Sequence, residues 1–127
     1  MTILTHVTLG TTDLDRAKTF YDYVLEPLGY ARLLGAGGRI CGWGIGAAQF
    51  MVGYPRNGEP ATAGNGFTIG LAAPSRAAID EFHRRALELG GLDEGAPGPR
   101  PVAPNAYAAY IRDPDGNKLA ASCRTPE

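Results

Sequence analysis

The chain has 127 residues, enough for one domain with a real core, and its charges nearly cancel, with 12 Lys and Arg against 13 Asp and Glu. That balance leaves no basic stripe for nucleic acid and no acidic tail for a basic partner, and no window approaches the roughly 20 apolar residues that cross a bilayer. The two cysteines, Cys41 and Cys123, are too few for a disulfide framework and read as free, half-buried thiols of a reducing cytosol.

The start, Met1 to His6, has no positive segment leading into a long apolar stretch, so a secretory leader is not expected and a cytoplasmic protein is. From Ile3 to Gly10 apolar and polar residues alternate, which predicts a strand with Ile3, Val7 and Leu9 on one face and His6, Thr8 and Gly10 on the other. Thr12 or Asp13 can cap the helix that follows. Leu14, Ala17, Phe20, Tyr21, Val24, Leu25 and Leu28 recur at three- and four-residue steps and form its buried stripe. Gly29 after Pro27 supplies a left-handed stop. Three short strands are predicted next, Tyr30–Leu34, Arg39–Trp43 and Ala47–Val52, separated by glycines. Tyr54 to Gly66 is rich in Pro, Gly and Asn and reads as a linker.

The pattern then repeats, displaced by about sixty-two residues. Phe67 to Ala72 is a strand, Ser75 a cap, and Arg76 to Leu89 a helix with Ile79, Phe82, Ala86 and Leu89 inward, ended by Gly90-Gly91. Under this shift Leu9 falls on Leu71, Phe20 on Phe82 and Gly29 on Gly91, while His6 falls on Thr68. Leu92 to Asn105, with its run of Pro and Gly, reads as a stiff loop. Ala106–Arg112 and Lys118–Cys123 form a closing hairpin around Asp113-Pro114-Asp115-Gly116-Asn117, a turn in which Pro presets φ, Asp bonds its own backbone and Gly accepts positive φ. Strands and helices do not alternate strictly, so the expected class is α+β, with helices on one face of mostly antiparallel sheets.

Three pieces carry a family resemblance: His6-Val7-Thr8-Leu9-Gly10; Asp13-Leu14-Asp15-Arg16-Ala17 with Phe20-Tyr21; and Asp113-Pro114-Asp115-Gly116-Asn117-Lys118-Leu119. The stretch Ala77 to Gly91 and the Gly95–Pro101 run add to it. In this order the chain resembles the glyoxalase/bleomycin-resistance/dioxygenase group, the vicinal oxygen chelate superfamily. The resemblance implies a single domain, 1–127, of two βαβββ modules whose sheets curve into a half-barrel cleft. Module one is placed at about 1–53, the linker at about 54–66 and module two at about 67–127. The resemblance also implies a homodimer.

Members of that group typically hold a metal through a His on the first strand, a His on the first strand of module two, and a Glu in the last strand. Here His6 matches the first, Thr68 stands in place of the second and Ala120 in place of the third, with the Gln49 amide near a fourth position. Catalytic zinc takes about three protein ligands, and harder cations take more oxygens. No cofactor is therefore expected, with a divalent metal (Zn, Ni, Mn or Fe) as the alternative.

His6 then reads as a cleft histidine bonded to Thr8, Thr68 or a ligand, or as a general base. Trp43, Phe50, Met51, Tyr107 and Tyr110 are candidates for an apolar pocket, or for plain core. Arg100 could clamp an anion or stand as a solvated loop charge. His83, beside Arg84 and Arg85, reads as part of a solvated helix face. The expected ligand-binding set is His6, Trp43, Gln49, Thr68, Arg100, Tyr107 and Tyr110. The leading function is binding of a small organic molecule. The net charge of −1 lacks the acidity expected of a trap for cationic bleomycin. A glyoxalase-type or other metal-assisted enzyme is the second reading, and a dimeric accessory module the third. No nucleic-acid or membrane partner is expected.

Overall fold

Val7 and Leu9 point one way and Thr8 the other, as the alternation requires, in a strand β1 that runs Val7–Gly10. The computed structural model describes residues 3–35 and 37–126. Part of the N-terminal leader reading (Met1, Thr2) and the outer module bounds, 1 and 127, lie outside the described residues. β1 starts later than expected: Ile3 is 98 % exposed rather than part of the apolar face, because no neighbouring strand pairs with it.

Helix α1 spans Leu14–Val24, and Asp13 caps it, its carboxylate accepting from the Arg16 N–H at 3.1 Å. The expected helix continues only as a 3₁₀ turn, Glu26–Leu28, since Pro27 lacks the N–H an α-helix needs there. Gly29 follows at φ 89°, the left-handed stop. Strands β2 (Ala31–Leu34), β3 (Ile40–Gly44) and β4 (Phe50–Gly53) complete the first unit. The second unit comprises β5 (Ile69–Ala72), α2 (Arg76–Glu88), β6 (Leu92–Pro99), β7 (Tyr107–Arg112) and β8 (Lys118–Cys123). Ser75 caps α2 by accepting from the Ala78 N–H. β1 and β5, like α1 and α2, begin about sixty-two residues apart, so the duplication seen in the sequence is one of structure.

Each unit is βαβββ, and each makes a four-stranded mixed sheet, in the orders β1-β4-β3-β2 and β5-β8-β7-β6. The pairs β1-β4 and β5-β8 are parallel and the others are antiparallel, so the class is α+β. β6 corrects the reading of Leu92–Asn105 as loop. It pairs with β7, with register breaks between Asp93 and Gly95 and between Gly95 and Gly98. An edge strand needs only one side of its hydrogen bonds, which suits Pro99 opposite Tyr107, and the break between Gly95 and Gly98 accommodates Pro97.

One core serves both units. Phe20, Tyr21 and Val24 of α1 and Ile79, Phe82 and Ala86 of α2 meet Val52, Ile111, Leu119 and Ala121 in a single buried cluster. Two sequence readings are corrected by this packing. His83 is buried, not solvated: α2 lies on β6 and β7, and the His83 Nε2 is 2.9 Å from the Asp93 carboxylate. Cys41 is fully buried, while Cys123 is half-buried.

The Asp113–Asn117 turn clasps the units together. The Asp113 Oδ1 accepts from the N–H groups of Asp115 and Asn117, which shapes the turn around Gly116 at φ 91°. Its Oδ2 accepts from the Tyr21 hydroxyl of α1 at 2.5 Å and from the Asn117 amide at 3.0 Å. Asn117 also donates to the Gly10 carbonyl. Asp115 accepts from Thr11, Thr12 and Arg16 at 2.6–3.0 Å.

Candidate functional site

The two sheets are not hydrogen-bonded to one another, and their edge strands β1 and β5 flank a cavity of about 170 Å³. Strand register decides its walls. Val7 pairs with Phe50 and Phe50 with Trp43, so these three share the face turned to the core. With Leu25, Ile69 and Leu71 they make the cavity apolar. Polar groups come from His6, Thr5, Gln49 and Tyr30. The His6 Nδ1 lies 3.0 Å from the Thr5 hydroxyl, not from Thr8 or Thr68, and among the described residues its Nε2 has no hydrogen-bond partner. The Gln49 side-chain amide is likewise unbonded among the described residues, whereas its backbone carbonyl accepts from the Val7 N–H at 2.9 Å. Tyr30 reaches across from the first unit to the second, its hydroxyl donating to the Ala72 carbonyl at 2.6 Å. Partial burial of that phenol raises its pKa above the ordinary value.

Of the seven residues singled out from the sequence, His6, Trp43 and Gln49 line this cavity. Trp43 does so from the core: it is fully buried, and its indole N–H donates to Asp22 at 2.9 Å. Arg100, Tyr107 and Tyr110 line a separate groove of about 390 Å³ over the second sheet, which meets the cavity at Gly70, Leu71 and Ala72. Arg100 is held inward there, donating to the carbonyls of Ala96, Gly98 and Pro99 while its guanidinium lies 5.5 Å from the Tyr110 ring. Three of its N–H bonds are thus spent on its own strand end. The Tyr107 hydroxyl donates to Asp80 at 2.6 Å, and this bond to a carboxylate holds the phenol above its ordinary pKa. Thr68 is exposed just ahead of β5 and lines neither space. Met51 pairs with Thr8 on the face of the first sheet that points away from the core. Sequence reading missed Leu25, Tyr30, Ile69, Gly70 and Leu71. Their shared wall brings together residues more than forty positions apart, and no local pattern marks that.

Of the positions that the resemblance assigns to metal ligands, only His6 carries a strong donor. Ala120, 5 % exposed in β8, has no donor atom, and Thr68 offers only a neutral hydroxyl. Among the described residues no group of three His, Cys, Asp or Glu side chains is placed to hold a metal ion. Among the described residues, too, no helix is long and apolar enough to cross a membrane.

Two βαβββ units around a cavity at their seam define a duplicated, cleft-forming α+β protein. The chain belongs to the Glyoxalase/Bleomycin resistance protein/Dioxygenase superfamily, whose family model matches residues 3–121. An uncharacterized protein of Pseudomonas aeruginosa is 34% identical over 132 residues, covering 97% of this chain and 89% of that protein. The crystal structure of a glyoxalase/bleomycin resistance protein from Albidiferax ferrireducens superposes with a TM-score of 0.87 at 39% identity, over 98% of this chain and 100% of that one. A lactoylglutathione lyase from Agrobacterium tumefaciens superposes at 0.67 with 24% identity, over 96% and 93% of the two chains, a likeness of fold.

Proposed function

We propose that this protein binds a small organic molecule in the cleft at the seam of its two units, without a resident catalytic metal. The observation that carries the reading is the apolar cavity beside His6 and Gln49, in a chain that offers a hydroxyl at Thr68 and a methyl at Ala120 where a metal would need stronger donors. Apolar walls with a few convergent polar groups are what small-molecule sites generally present. The reading includes a cytoplasmic homodimer.

A second reading has its own support. The unpartnered Nε2 of His6 is free to hold or move a proton on a molecule in the cavity, so a metal-independent enzyme with His6 as acid or base follows from the same geometry.

Thermal unfolding tests both. Chelator, or added Zn, Ni, Mn or Fe, is expected to leave the midpoint unchanged, while at least one compound from a panel of small organic molecules raises it. Near-stoichiometric metal that is lost in His6→Ala would sink the metal-free reading. Turnover of a panel compound that is abolished in His6→Ala, whose binding persists, would favour the enzyme.

A further inference from the structure

We infer that the ligand of the seam cavity is uncharged and no larger than one ring with a small neutral polar substituent. This rests on the binding function proposed above and goes on to name its ligand class.

Size comes first. A cavity of about 170 Å³ is close to the roughly 150 Å³ apolar space known to take up benzene. A tripeptide conjugate would have to leave most of its atoms outside this cavity, in the adjoining groove or in water. Charge comes second. Among the described residues that line the cavity none is Asp, Glu, Lys or Arg. A carboxylate behind its wall, Asp22, is already engaged by the Trp43 indole and by Arg32 at 3.0 Å. Two cations line the adjoining groove, Arg100 and Arg124, and neither lines the cavity; Arg100 is tied to three carbonyls of its own strand end. An ion seated against Leu25, Phe50 and Ile69 would give up the water on that side and meet no opposite charge, which is costly. Polarity comes third. His6 Nε2 and the Gln49 amide, both without partners among the described residues, offer hydrogen bonds to a hydroxyl, carbonyl or carboxamide. An entirely apolar guest would leave these bonds to water.

The test is a matched series of one-ring probes: benzyl alcohol and benzamide as neutral members, benzoate as the anion and benzylamine as the cation. The full chain is titrated at about pH 8, above the ordinary imidazole range. The readout is the indole N–H resonance of Trp43, the single tryptophan, whose ring forms part of the wall. The blocking variant is Gly70→Phe, at a position where an added Cβ meets nothing within 4 Å and which lies on the cavity wall. A second block, Leu71→Phe, which adds bulk to the wall without a second indole, guards against failure of the first to fold.

The expected result is saturable shifts with the neutral members, at least about tenfold weaker binding of benzoate and benzylamine, and loss of all shifts in the blocked variants. Equal or tighter binding of an ion, lost on blocking, would overturn the uncharged class while leaving small-molecule binding intact. Saturation by S-hexylglutathione but by none of the one-ring probes would overturn the size limit. No response to any probe, with a panel compound still raising the unfolding midpoint, would move the ligand out of this cavity and end the inference. No response in either experiment would end the binding function too.

Discussion

Replacing Tyr21 by Phe removes one oxygen from a fully enclosed polar contact. Tyr21 is fully buried, and its hydroxyl donates at 2.5 Å to Asp113, itself 3% exposed. The ring keeps its edge contacts with Phe20 and Phe50, so no packing is lost beyond the hydroxyl. Asp113 retains two backbone N–H donors on Oδ1 and the Asn117 amide on Oδ2, so one bond to a charged acceptor is deleted. Such a bond contributes about 2 kcal/mol, which for a chain of this size lowers the unfolding midpoint by about 6–10 °C.

The pH dependence gives a second handle. Burial raises the Asp113 carboxyl above its ordinary value, and the Tyr21 and Asn117 donors pull it partly back. The folded state therefore keeps this proton to higher pH than the unfolded chain does. Ionisation of Asp113 lowers stability as pH climbs from the ordinary carboxyl range through the raised value. Without the Tyr21 donor that value rises further. The cost of Tyr21→Phe is then largest at neutral pH and falls to about 1 kcal/mol at acid pH, where the carboxyl is neutral in both proteins. Urea unfolding at both pH values measures it. A loss below about 0.5 kcal/mol at neutral pH, or a larger loss in acid, would refute the role given to this contact.

Asp93→Asn tests the buried histidine. The His83 hydrogen bond, aided by the Gly95 N–H, holds the Asp93 carboxyl below its ordinary value. The stability this supplies is present above the ordinary carboxyl range and lost as pH falls through the lowered value, so thermal melts of variant and parent should differ at pH 7 and converge in acid. Gly91→Ala places a methyl 2.8 Å from the Ala86 carbonyl oxygen and 2.9 Å from that of Arg112, both backbone, and should cost about 1–3 kcal/mol in urea unfolding. Gly70→Ala meets no atom within 4 Å and should be neutral or stabilising by up to about 1 kcal/mol, so equal losses at the two glycines would contradict the packing described.

Much of the fold is written locally in the chain. Asp13 and Ser75 cap because a short side-chain oxygen reaches the next turn's N–H, Gly29 stops because it tolerates positive φ, and Asp113–Asn117 turns because Asp113 bonds its own backbone around Gly116. Such signals act over a few residues and survive without context, and the duplication stands out because it repeats all of them. The candidate site was legible only in part. His6, Trp43 and Gln49 carry chemistry that attracts notice in a sequence, whereas Leu25, Ile69 and Leu71 resemble any core residue.

What the tertiary structure alone decided depends on a distant partner. Leu92–Pro99 is extended in either reading, and only β7 makes it a strand by offering hydrogen bonds to one edge. His83 is buried because α2 lies on β6, and Arg100 turns inward because its own strand end offers three carbonyls. The cavity exists because β1 and β5, sixty-odd residues apart, come to flank one seam without hydrogen-bonding to each other. The sequence by itself determined the elements and their repetition, since those follow from torsions and hydrogen bonds within a few residues. Which side chains meet across the seam was set by the joint burial of both units in one core.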